Sequence, residues 1–184
     1  MRVAVVAEQL RRRVPGGVGT YAHGLLLGLG RLNGQRADIT VYASRARDAP
    51  DPLGAYGFPV RTSLLPSRGL TRAWDWGVAR SPSGADVVHD VSLATAPTRH
   101  GQRLTVMVHD LSWRQVPEAF PARGRRWHES ALRRAVRRSD LLIVPSESTA
   151  AALRAACGPG APRIEVIEEG CDHLPPPDAA AATA

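Results

Sequence analysis

Short apolar runs alternate with amphipathic stretches along most of the chain. The run "RVAVVAE" (2–8) is continuous and rich in Val, which predicts a strand buried on both faces of a parallel sheet. From Val18 the apolar positions recur at Tyr21, Ala22, Leu25, Leu26, Leu29 and Leu32, the spacing of one helical face. Further strands are predicted at 37–43, 58–65, 85–91, 103–112, 140–146 and 162–170. Pro59 moves the second of these toward a sheet edge or a late start, because proline cannot donate to the ladder. Helices are predicted at 67–81, with Leu70, Trp74 and Val78 on one face, and at 122–140, with Trp127, Ala131, Leu132, Ala135 and Val136 inward. Another runs over 146–157 and is stopped by "GPG" at 158–160. Strand and helix alternate throughout, so the predicted fold class is α/β: a doubly wound, Rossmann-like parallel sheet with helices on both faces. Ligands of such folds sit at the carboxyl ends of the strands, here 8–17, 44–47, 89–92, 109–113 and 145–149.

Composition narrows the picture. The chain has 184 residues, enough for one generous domain with a sizeable core. Basic residues exceed acidic ones by 24 to 17. All of them are Arg, so lysine chemistry is excluded within this chain and a GC-rich codon bias suffices to explain the arginine count. Cys157 and Cys171 form no C-x-x-C and have no His at ligand spacing, which reads as plain structural thiols and predicts no metal. The apolar start is too short for a signal peptide, and no stretch of 18 apolar residues occurs. A reduced, cytoplasmic protein is expected. Residues 174–184, "LPPPDAAAATA", read as a Pro/Ala-rich linker or tail after a domain spanning 1–173.

The stretch "VPGGVGTYAHG" (14–24) holds Gly17, Gly19 and Ala22 in a G-x-G-x-x-A pattern, the outline of a dinucleotide fingerprint. Two observations weigh against NAD(P). Nine residues separate Ala7 from Gly17, whereas the fingerprint follows its strand at once. The acid expected at the end of the second strand is missing, although Arg45 and Arg47 would suit a 2′-phosphate. Gly16 and Gly17 at a helix start still expose backbone N–H groups at its positive end, an anion site that glycine lets a diphosphate approach. The arm "EQLRRRVP" before them is expected to be a mobile flap.

Four ordered blocks, "PGGVGTYAHGLLLGLGRL", "VMVHDLSW", "SDLLIVPSESTAAAL" and "RIEVIEEGCD", resemble the N-terminal half of family-4 retaining glycosyltransferases of GT-B fold, over roughly residues 1–173. Glu168 and Glu169 stand where that family usually has Pro-Asn, which concerns the linker more than the fold. The resemblance implies a hexosyltransferase acting with retention, of which this chain is the acceptor-binding half; the nucleotide-binding C-terminal domain is expected outside these residues. It implies a nucleotide-sugar donor, with GDP-mannose the first guess and a UDP-sugar the other, no further cofactor, and a sugar or lipid-linked acceptor. His109 and Asp110 take the catalytic place, since an imidazole at a strand end can donate to or accept from a sugar hydroxyl. Gly16 and Gly17 face the donor diphosphate. Tyr21, Trp113 and Arg114 are the acceptor-binding candidates, because aromatic faces suit sugar rings; Trp113 reads equally as core or cleft wall. A second "HD", His89-Asp90, ranks lower.

The arginines of 122–138 read first as a solvated outer face. An anionic membrane surface is the sharper alternative, consistent with a protein peripheral at the inner face of the membrane. No nucleic-acid-binding pattern is present, and none is expected as a partner. The competing reading of the whole chain is a non-catalytic Rossmann-like module binding NADP or another anion.

Overall fold

The computed structural model describes residues 1–32, 37–46 and 50–170. Arg47, Cys171 and the 174–184 tail lie outside the described residues. Seven strands form one sheet: β1 (Arg2–Val6), β2 (Asp38–Ala43), β3 (Val60–Thr62), β4 (Val87–Asp90), β5 (Arg103–Met107), β6 (Leu141–Val144) and β7 (Arg163–Val166). Their order is β3-β2-β1-β4-β5-β6-β7, and every neighbouring pair is parallel. The helices are α1 (Gly16–Arg31), α2 (Ser67–Asp75), α3 (Ser112–Gln115), α4 (Ala122–Arg138) and α5 (Glu147–Cys157). The doubly wound α/β expectation holds, and β3, the strand after Pro59, is indeed an edge.

The strand order places the helices. α1 leads from β1 outward to β2, whereas α2, α4 and α5 carry the chain the other way across the sheet. Right-handed crossovers therefore put α1 on one face and the other three on the opposite face. The packing agrees. Val5 clusters with Ala22 and Leu26 of α1. Its neighbour Val6, pointing the other way, joins Leu70 and Trp74 of α2, Leu132 and Ala135 of α4, and Leu153 of α5. Leu26, Leu104, Leu142 and Leu153 are wholly buried, each contributing about 1.5–3 kcal/mol by leaving water.

Two boundaries differ from the sequence pattern. The helix predicted over 67–81 stops at Asp75, because Gly77 adopts φ +73°, and Val78 is left exposed despite its helical spacing. The arm after β1 is not a free flap. Its first part, Glu8–Arg11, is a 3₁₀ turn. The buried Glu8 carboxylate accepts from Ser44 N at 2.6 Å and Ser44 Oγ at 2.9 Å. Arg11 bonds the Ser44 carbonyl and pairs with Asp51, with Nε 3.1 Å from Asp51 Oδ1. Gln9 Nε2 donates to Pro15 O at 2.6 Å, so the far end of the arm is tied as well.

The connections from β1 and from β4 leave the sheet in opposite directions, so a crevice opens between their carboxyl ends. One large open cleft lies there. It is lined by Glu8–Arg13 and Val18 on one side, Arg68 and Arg72 of α2 with Trp76 just past its end on another, and His109, Asp110 and Trp113 beyond β5.

Candidate active site

His109 follows β5 by two residues and is half-buried in the cleft wall. Its Nε2 lies 2.9 Å from Val91 O, in the loop that leaves β4. Its Nδ1 lies 2.8 Å from Glu169 Oε1, just past β7. Both partners are oxygen acceptors, so both contacts are hydrogen bonds only for a ring that carries two N–H groups. The loops beyond β4, β5 and β7 thus meet on one imidazole.

Tyr21 of α1 packs edge-on against the His109 ring, with centroids 5.0 Å apart and planes at 79°. Its hydroxyl is 3.5 Å from His89 Nε2, and His89 Nδ1 is 2.8 Å from Thr105 Oγ1. Burial, reinforced by the Glu169 charge, pushes the Tyr21 phenol up to about 12. Burial, reinforced by His109, pushes His89 down to about 4. Tyr21 therefore stays a phenol that donates to Nε2 of a neutral His89, whose Nδ1–H donates to Thr105.

The neighbouring Asp90 points to the opposite face of the sheet, since adjacent strand residues alternate. It is fully buried, its Oδ2 accepts from Ala96 N at 3.1 Å, and its Oδ1 has no partner. Desolvation raises its pKa well above the usual carboxylate range, against the Ala96 bond. This second His-Asp pair belongs to the support of the site and not to the cleft surface.

Asp110 is exposed to the cleft, and its Oδ1 accepts from Ser112 N at 2.8 Å, which shapes the entry into α3. Trp113 is buried apart from an edge on the cleft. Its Nε1 donates to Glu129 Oε1 at 2.7 Å and its ring stacks on His128 at 4.8 Å. Arg114 forms a two-pronged pair with the same Glu129, at 2.6 and 2.7 Å. The Arg114 bonds, with help from Trp113, hold Glu129 down to about 2. Trp113 is thus both a core residue and part of the cleft wall, whereas the Arg114 fork is already occupied.

Gly16 and Gly17 open α1. The helix has no side-chain cap, and the first intrahelical acceptor, Pro15 O, is taken by Gly19 N at 3.2 Å. The N–H groups of Gly16, Gly17 and Val18 have no partner among the described residues. Gly16 sits at φ +63°, and a Cβ at Gly17 would meet nothing within 4 Å, so the backbone there is open to an anion.

The sequence had marked His109, Asp110, Gly16, Gly17, Tyr21, Trp113 and Arg114. Of these, His109, Asp110 and Trp113 line the cleft and Tyr21 packs on the His109 ring; Gly16 and Gly17 directly precede Val18, which lines it, and Arg114 is outside the lining. Glu169 had stood out only as a departure in the last block, His89 had ranked below His109 as the second His-Asp pair, and Glu8 had no local signal of its present role.

The family model described as Glycosyltransferase Family 4 matches residues 15–173. The chain belongs to glycosyltransferase family 4. Among solved structures it is similar to Anabaena HepE in complex with UDP-glucose, at TM-score 0.57 and 17% identity over 94% of this chain and 44% of that one. HepE with UDP and with UDP and glucose match at TM-scores 0.55 and 0.56, with 17% and 16% identity, over 94% of this chain and 45% of that one. The family-4 chain thus spans less than half the length of these structures. No curated protein sequence matches it. Within the described residues of this family-4 domain, no helix is long and apolar enough to cross a membrane, and no group of three His, Cys, Asp or Glu is placed to hold a metal ion.

Proposed function

We propose that the full-length protein transfers a hexosyl group, with retention, from a nucleotide sugar to an acceptor bound against this domain. The observation that carries the reading is the pairing of two features on one cleft: the unpartnered amides at the start of α1, whose Val18 lines it, and His109 beyond β5. Family membership supports transfer, and HepE, crystallised with UDP and UDP-glucose, supports a nucleotide-sugar donor. A mannosyl donor remains the alternative to a glucosyl one.

In this reading the α1 amides stabilise charge growing on the departing diphosphate. They are fixed before the ligand arrives, so no reorganisation is needed at the moment of reaction. His109 presents an N–H toward a sugar hydroxyl only by exchanging one of its two present acceptors. Glu169 is the exchangeable one, because it lies on the more exposed side, whereas Val91 O is backbone. Tyr21 fixes the plane of the ring, and Asp110 shapes the adjoining loop. Acceptors are proposed to be sugars or lipid-linked sugars. The outward-facing Arg125, Arg126 and Arg137 of α4 would suit an anionic membrane surface.

The test is release of UDP or GDP from sugar nucleotides by the full-length protein, with candidate acceptors present. His109→Ala should lower kcat by about 10²-fold or more with the melting temperature unchanged within error. Absence of nucleotide release from every donor, or full activity of His109→Ala, would overturn the reading.

A further inference from the structure

The guanidinium groups of ten described arginines have no hydrogen-bonding or ionic partner among the described residues, and six of these arginines line the cleft: Arg12, Arg13, Arg45, Arg68, Arg72 and Arg123. All six are exposed. The carboxylates lining the same cleft are all engaged. Glu8 is held by Ser44, Asp51 by Arg11, Asp75 by Arg134 and Trp127, and Asp110 by Ser112 N. Elsewhere the chain neutralises its arginines readily, as in Arg2–Asp86, Arg103–Asp140 and Arg114–Glu129. Unneutralised charge is therefore concentrated in one concavity, where a low-dielectric wall focuses its field.

The six divide by position. Arg12, Arg13 and Arg45 belong to the α1 side, near the amides assigned to the donor. Arg68 and Arg72 belong to α2, and Arg123 to the first turn of α4, on the opposite face of the sheet. Arg68 and Arg72 are four residues apart, so they project side by side, and Trp76 continues the same row with 76% of its surface exposed. α2 and α4 both begin at the carboxyl rim of the sheet without a side-chain cap, which adds two positive helix ends to the same wall.

We propose that this wall binds the phosphate or diphosphate of an anionic acceptor, and so fixes the substrate class of the reaction proposed above. Guanidinium forks match phosphate oxygens two at a time, and the Trp76 indole offers an apolar face to the group attached to the phosphate. The proposal rests on the transferase reading for the word acceptor. The binding chemistry stands on the arginines alone.

The experiment is calorimetric titration of the full-length protein with pyrophosphate, in the presence of saturating UDP or GDP so that the donor site is filled. Arg68→Gln/Arg72→Gln is expected to weaken pyrophosphate binding by about tenfold or more, with nucleotide binding and melting temperature unchanged. The control Arg31→Gln, exposed at the far end of α1 and outside the cleft, should change neither. Flotation on vesicles of phosphatidylglycerol in phosphatidylcholine, against phosphatidylcholine alone, separates the sources. Loss of vesicle binding in the α2 variant identifies a lipid phosphate, and retained vesicle behaviour with lost pyrophosphate binding identifies a soluble one. Unchanged pyrophosphate affinity, an equal loss in the control, or an equal loss of nucleotide binding overturns the proposal. Failure of nucleotide release from every donor would sink the transferase reading while leaving the titration result intact.

Discussion

His89 and Asp90 are adjacent in β4, face opposite sides of the sheet, and are both carried neutral. Their pH dependences have opposite signs. The folded His89 pKa lies near 4 against an ordinary 6.5, so the unfolded chain takes up a proton that the folded one refuses. Stability from His89 is fully present above pH 6.5 and is lost as pH falls toward 4, amounting to about 3 kcal/mol at the end of that window. Asp90 has its folded pKa raised, so above about pH 4 the unfolded chain loses a proton that the folded one keeps. Its contribution therefore declines as pH rises, until the folded carboxyl itself ionises. Between about pH 4.5 and 6 His89 contributes a rising slope of about 1 kcal/mol per pH unit, and Asp90 a falling one that opposes it. Two substitutions separate them. Relative to the unsubstituted protein, Asp90→Asn should show stability that rises more steeply with pH, and His89→Gln stability that falls by about 1 kcal/mol more per unit. The assay is urea unfolding across this range, followed by tryptophan fluorescence, with Trp74 as a fully buried reporter. If both variants run parallel to the parent, neither group is held neutral in the fold and the reasoning fails.

Two further substitutions probe the site from the backbone side. Gly17→Ala meets open space and should leave the melting temperature unchanged or raised, yet should weaken UDP or GDP binding by about tenfold or more if a diphosphate approaches the α1 amides; Gly19→Ala brings a Cβ to 2.2 Å from Pro15 Cβ and should instead destabilise by about 1–3 kcal/mol in thermal or urea unfolding. Glu8→Ala strands the Ser44 N–H inside the fold and should cost about 1–3 kcal/mol in the same measurement, with local amide exchange accelerating at Ser44.

Much of the fold was legible because the sequence alternates between two distinct periods. Continuous Val-rich runs can be buried on both sides only in a parallel sheet, and stripes such as Leu132, Ala135 and Val136 need a helix to share a face. Where local pattern and chain geometry disagreed, the pattern misled: Val78 keeps the helical spacing of Leu70 and Trp74, but the left-handed Gly77 ends the helix first. The arm 8–15 read as a flap because its composition is polar. Its rigidity comes from Ser44 and Asp51, both more than 30 residues distant in sequence. The site was legible as strand-end residues and a glycine pair. The Glu169–His109 bond spans 60 residues, and the Tyr21–His89 contact spans 68, so neither has a sequence spacing that could announce it.

α1 carries both ends of the proposed chemistry. Its first turn presents the free amides, its second presents Tyr21 to the His109 ring, and Leu26 bolts the rod to the sheet. The proposed donor end and the histidine therefore share one rigid element, so a displacement of the first turn is transmitted to the phenol. Substitutions along this helix would shift both at once, so changes in donor affinity and in turnover from α1 variants should travel as correlated pairs.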